Sequence, residues 1–165
     1  MKKWNFLWAG AVIILIAAIA TKPLTVFASY NSTSPATERI PIPETTANPQ
    51  PPYGWEITTK SGEAEISLAK HLKSIGAKEY GAFWCPHCFE QKQLFGKQAF
   101  KEINYIECDP QGSNPQPQAC TDAEIKAFPT WKIEGKTYQG VQLLEKLAEI
   151  SGYQGAVNFK YTMPN

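Results

Sequence analysis

The chain has almost no surplus of charge: 16 basic side chains stand against 15 acidic ones in 165 residues, a formal charge of +1. That balance carries no electrostatic footprint for nucleic acid, so nucleic acid is not an expected partner. Internal repeats are absent as well, which argues against a solenoid or an array. Cysteines are few, four in all, and their spacing excludes two common uses. Cys108 and Cys120 are too far apart for a zinc knuckle, and Phe89 follows Cys88 where a haem-attachment motif needs histidine. No metal is therefore assigned, although soft thiolates at Cys85 and Cys88 would also suit Cu(I), and a copper carrier stays open as an alternative.

One long apolar run is present, at the N-terminus. Lys2 and Lys3 precede an apolar stretch from Phe6 to Ala20. Two readings fit residues 1–28: a signal peptide cut after Ala28, or an uncleaved anchor over residues 4–20, slightly short of the roughly 20 residues that span a bilayer. Both export the rest of the chain and place the cysteines where disulfides persist. Residues 29–60 are rich in proline, serine and threonine with little apolar periodicity, the composition of a disordered, extended linker.

A folded unit is expected over residues 61–155, with 156–165 as a tail. Apolar residues at helical spacing predict a helix from Glu63 to Ile75, and Ala77–Trp84 reads as a strand. A helix opens at Pro86 and runs to about Phe95, and Ile103–Cys108 is a second strand. A proline-rich loop follows, then a short helix capped by Thr121 and Glu124. A hairpin over Thr130–Ile133 and Thr137–Gln139 turns at Glu134-Gly135, and a last helix ends at Gly152.

The chemistry centres on Cys85-Pro86-His87-Cys88. A strand-to-helix junction places Cys85 at a helix N-terminus, where free backbone N–H groups and the macrodipole favour a thiolate. Cys85 would be the nucleophile and Cys88, one turn on, would resolve a mixed disulfide. An imidazole at His87 adds positive charge or a hydrogen bond to the thiolate. The expected redox group is the Cys85–Cys88 disulfide itself, with no separate cofactor.

These motifs, with Phe128-Pro129-Thr130 opening a later strand, resemble the thioredoxin fold, an α/β architecture with a central mixed sheet of about four strands flanked by helices. The CPHC tetrad is similar to that of disulfide-forming oxidoreductases of DsbA type. From Leu68 to Tyr153 the segments AKHLKSIGAKEYGAFWCPHCFEQKQLFG, YIECDP and FPTWKIEGKTYQGV resemble the thioredoxin-like domain fused to bacterial and plant vitamin K epoxide reductase homologues. The quinone-reducing membrane domain of that family does not accompany these motifs, so a separate membrane oxidoreductase of that type is the expected electron partner.

The resemblance implies more about individual residues. Pro129 would be cis and face the redox pair, and Phe128 and Thr130, with Trp84, would meet the substrate chain. Cys108 and Cys120 would form a structural disulfide, against the alternative of a relay with Cys85–Cys88. Glu79 matches the buried acid that serves the second cysteine as proton acceptor, against the plainer reading of a solvated strand residue. Trp84 and Trp131 either form an apolar docking surface, as a holdase would also use, or simply cover the sheet. His71 reads as a solvated surface residue, and Lys92, Lys97 and Lys101 as a solvated helix face. The implied activity is thiol–disulfide exchange with cysteine-containing exported proteins, in the periplasm or a thylakoid lumen, with donation of disulfides favoured over reduction.

Overall fold

The computed structural model describes residues 38–44 and 46–164. The signal or anchor segment lies outside them. Among the described residues, no helix is long and apolar enough to cross a membrane.

Helix α1 (Glu63–Ser74) begins where Gly62 N donates to Glu65 Oε2 at 2.8 Å and stops at Gly76, whose φ of +72° favours glycine. Strand β2 (Lys78–Gly81) is shorter than expected, because the chain turns after Gly81 and Cys85 N bonds Ala82 O at 3.0 Å. Helix α2 (Pro86–Phe100) passes the expected end at Phe95 but breaks its regular path there, at Gly96 (φ +78°). A Cβ on Gly96 would stand 2.6 Å from Ser61 N. Ser61 Oγ satisfies the groups freed by the kink, donating to Phe95 O and accepting from Ala99 N, both at 2.8 Å.

Strands β3 (Tyr105–Glu107), β2, β4 (Thr130–Ile133) and β5 (Lys136–Gln139) form one mixed sheet in that order. β2 and β3 run parallel, while β4 is antiparallel to both β2 and β5. The β4–β5 turn has Glu134 and Gly135 both at positive φ, the twist a tight hairpin needs. Helix α3 (Pro117–Asp122) departs from expectation: Pro117 opens it, Thr121 lies inside it donating to Pro117 O, and Glu124 follows its end. The expected Thr121–Glu124 cap is not formed, since a proline at the first helical position supplied the earlier start. Helix α4 (Leu144–Ile150) closes the unit. Leu68, Leu72, Leu94, Phe95, Trp131, Ile133 and Leu147 fill the core, each contributing roughly 1.5–3 kcal/mol of burial. The whole is a thioredoxin-like α/β fold.

The described part of the proline-rich segment is not an extended tether. Strand β1 (Ile40–Pro41) pairs in parallel with β6 (Tyr161–Thr162), so the expected tail is also paired. Ile40 N and Ile42 N donate to Lys160 O and Thr162 O, while Pro41, which has no N–H, falls between them. Ile42 is only 4 % exposed. Further on, Trp55 stacks on Phe89 with centroids 5.4 Å apart, and Gln93 accepts from the backbone of Thr58 and Thr59. A few apolar anchors and backbone donors between the prolines suffice to hold the segment down, a pattern that composition averages away.

Cys108 and Cys120 are joined by a disulfide, with Cα atoms 5.8 Å apart and a sequence separation of 12. Closing a loop of this size is worth about 3 kcal/mol in the chain-entropy account. The double variant Cys108→Ser/Cys120→Ser is therefore expected to unfold at lower urea concentration, by about that free energy, with little change in slope.

Candidate active site

Cys85 is the N-cap residue of α2, and its Sγ accepts from Cys88 N at 3.3 Å. Pro86 occupies the first helical turn, where its missing N–H costs nothing. Both cysteines are buried and unbonded to each other, so the structure is that of the dithiol. The neighbouring Cys88 side chain does most to draw the Cys85 pKa from 9.0 down to about 7. Burial opposes the shift; the backbone N–H groups of Cys88 and His87 assist it, and the His87 charge adds a smaller part. The Cys85 side chain, then burial and the nearby Glu79 charge, push Cys88 far upward. Cys85 is thus the sulfur that ionises, while Cys88 keeps its proton.

The His87 side chain turns outward. Its Nδ1 lies 2.8 Å from Glu90 Oε2, which raises the imidazole pKa and strengthens its positive charge. His87 therefore serves Cys85 mainly through its backbone N–H, and only weakly through its ring.

Glu79 lies beneath the pair and is fully buried, which overturns the solvated reading. Neither carboxylate oxygen has a hydrogen-bond partner among the described residues. Burial drives its pKa up to about 8, with Lys92 opposing and Cys85 adding to the rise. The strand register explains the site's shape: Glu79 pairs with Tyr105 on one side and Trp131 on the other, and Gly81 pairs with Glu107. Period-two alternation puts all five on one face of the sheet. Gly81 leaves the space into which Cys88 Sγ projects, for a Cβ there would stand 2.8 Å from both that sulfur and Tyr105 Oη.

The Phe128–Pro129 peptide is cis, and Phe128 packs against Ala82, Cys85 and Cys88. Trp84 is 46 % exposed, meets Phe128 edge-on at 6.2 Å, and is held by a 2.7 Å hydrogen bond from Nε1 to Asp109 Oδ2. These two rings form an apolar rim beside the cysteines. Trp131 does not join them: it is fully buried against Phe95 and Gln91, a core residue rather than part of a docking surface. Thr130 is buried too, with its hydroxyl donating to Ala127 O at 2.7 Å, which leaves no side-chain donor for a substrate.

Several expectations for lesser residues change. His71 is only half exposed: it bonds Ser151 O at 2.8 Å and lies against Tyr153. Lys92 extends over the Tyr105 ring, 4.1 Å from its centroid, instead of into solvent. Tyr105, Glu107 and Gly81 lie in segments that carry the family resemblance but have no role assigned from sequence, and the alternation in β3, with its register against β2, puts them on the face of Glu79.

A thioredoxin-like fold whose second helix opens on a dithiol, with one thiol poised to ionise over a buried acid, defines this class of protein. Over 144 residues, 85 % of the chain, it is 46 % identical to the thiol-disulfide oxidoreductase LTO1 of Arabidopsis thaliana, and it spans 36 % of that protein's length. No family model matches the chain.

Proposed function

We propose that the chain is a thiol–disulfide oxidoreductase that donates disulfides to cysteine-containing exported proteins. The observation that carries this reading is the division of labour in the dithiol: Cys85, capping α2, ionises near neutrality while buried Cys88 stays protonated. The likeness to a named thiol-disulfide oxidoreductase supports it. In the oxidised form a substrate thiolate attacks Cys85 Sγ, and the Cys85–Cys88 bond breaks with its electron pair going to Cys88, which takes up a proton. The substrate's second thiolate then attacks the mixed disulfide, and Cys85 leaves as the stabilised thiolate. A sulfur that is a good leaving group favours passing the disulfide on. Substrate chains would lie along the apolar rim of Trp84 and Phe128, beside Pro129.

The apolar N-terminal segment would place this domain in the periplasm or a thylakoid lumen. A quinone-coupled membrane oxidoreductase of the vitamin K epoxide reductase type would reoxidise the pair. The test is the reduction potential of Cys85–Cys88 in the whole chain, by equilibration with glutathione. A value near roughly −120 mV supports a disulfide donor; one near roughly −270 mV replaces it with a reductase, and failure to exchange at all overturns the oxidoreductase reading.

A further inference from the structure

Glu79 poses a problem that thiol exchange must solve. Each turn of the pair puts a proton on Cys88 or removes one, yet both Cys88 and Glu79 are fully buried. Trp131 closes one side of Glu79, being its register partner on β4 and fully buried. On the other side the partner is Tyr105, and this side is polar.

Tyr105 Oη and Cys88 Sγ are near neighbours across Gly81, each 2.8 Å from the point a Cβ would occupy. The Tyr105 hydroxyl donates to Glu107 Oε2 at 3.3 Å. Glu107 is held firmly: its Oε1 accepts from Phe83 N at 3.2 Å and Asp109 N at 3.0 Å. Gly112, in the loop closed by Cys108–Cys120, lies directly against the Glu107 side chain, with no room for a Cβ. Tyr105 and Glu107 also line a cleft of about 270 Å³ with Lys92, Ser113 and Gln116. Its rim includes Tyr53, which is 75 % exposed, so the cleft reaches solvent.

We propose that Tyr105 and Glu107 form a proton relay connecting the buried Cys88 and Glu79 with water in this cleft. The relay rests on the oxidoreductase reading above. When a mixed disulfide at Cys85 is resolved, the Cys88 proton passes to the Glu79 carboxylate, Glu79 hands a proton to Tyr105 Oη as the Tyr105 hydroxyl proton passes to the Glu107 carboxylate, and Glu107 releases a proton to water. The freed electron pair of Cys88 forms the bond to Cys85 Sγ. The bond from Cys85 to the departing sulfur breaks with its pair on that sulfur, which takes a proton from water. This step releases one proton and consumes one. Over attack and resolution together, the Cys85–Cys88 dithiol is oxidised by two electrons and the incoming disulfide is reduced to two thiols.

The groups facing the relay suit this task. Burial keeps Tyr105 protonated, so its hydroxyl passes protons without ionising for long. Burial raises Glu107 above the ordinary carboxylate value, closer to the groups it serves. Lys92 on α2, over the Tyr105 ring, works against that rise and favours the Glu107 anion that receives the proton.

The test uses the whole chain in its dithiol form mixed with glutathione disulfide. Acid quenching and mass analysis separate attack, seen as glutathione bound at Cys85, from resolution, seen as the Cys85–Cys88 disulfide. Tyr105→Phe and Glu107→Gln are expected to slow resolution by about 10-fold or more. That is less than the roughly 10²–10⁴-fold contributed by direct side-chain proton transfer, because Glu79 still accepts the proton at first hand. Attack should stay within about two-fold, since the amide oxygen of Glu107→Gln remains an acceptor for Phe83 N and Asp109 N. The double variant should resolve no more slowly than the slower single one, because both act in one path. Unchanged resolution in either variant, or attack and resolution slowed alike, would overturn the relay. A native chain that never exchanges with glutathione disulfide would overturn the oxidoreductase reading, and the relay with it.

Discussion

Glu79→Gln is expected to abolish most of a stability loss that the native dithiol suffers as pH rises from 5 to 7. The ordinary carboxyl value is 4.5, and burial raises Glu79 to about 8 in the folded protein. Between those values the folded state holds a proton that the unfolded state has released. Stability therefore falls as pH rises through this window, and is fully present only below about 4.5. From pH 5 to pH 7 the loss is on the order of 2–3 kcal/mol. Glutamine does not titrate, so its curve lacks this slope. The other titrating groups are present in both proteins, so the difference isolates Glu79 together with its coupling to Cys85. Urea unfolding at pH 5, 6 and 7 measures it directly; parallel curves for the two proteins would show that Glu79 ionises normally. A residue that weakens the fold near neutrality in this way is what a proton acceptor for Cys88 requires.

Cys88→Ala is expected to stop turnover and trap a mixed disulfide at Cys85, because nothing remains to attack it from within. The same change should also make Cys85 a poorer thiolate. Its largest stabilising influence is the Cys88 side chain, ahead of the backbone N–H groups and the His87 charge. Alkylation of native Cys85 by iodoacetamide should thus follow a pH profile with its midpoint near 7. In Cys88→Ala the midpoint should move towards the ordinary thiol value of 9.0. His87→Ala should move it less, since the ring is engaged by Glu90 and exposed. A His87 effect larger than that of Cys88 would mean that the imidazole, and not the paired thiol, governs the nucleophile.

Much of this arrangement is legible before any coordinates. A proline directly after Cys85 announces a helix start, and helix starts favour anions, so local chemistry alone points to Cys85 as the expected nucleophile. Helical periodicity locates α1 and α4, and the Glu134-Gly135 pair locates the hairpin, because these signals act over a few residues. The boundaries of β2 and the kink in α2 depend instead on contacts far along the chain, such as Ser61 with Gly96. The anchoring of the proline-rich segment is similar, since β1 exists only because β6 lies beside it.

By itself, then, the sequence determined the class of fold, through the family its motifs resemble, and pointed to Cys85 and Cys88 as the expected redox pair, since a helix start depends on neighbours in the chain. Only the tertiary structure brings together the groups proposed to handle the proton. Glu79 reads more readily as a surface strand residue until Trp131 and Tyr105 are laid beside it by sheet register. Trp131 reads equally as a docking residue or a cover for the sheet until it is enclosed by the core. Tyr105 has no meaning for Cys88 until Gly81, having no side chain, lets the hydroxyl and the sulfur approach, with Glu107 behind as the acceptor for that hydroxyl. Burial and register arise from residues distant in the chain, and a pKa follows from its surroundings rather than from the residue's place in a motif.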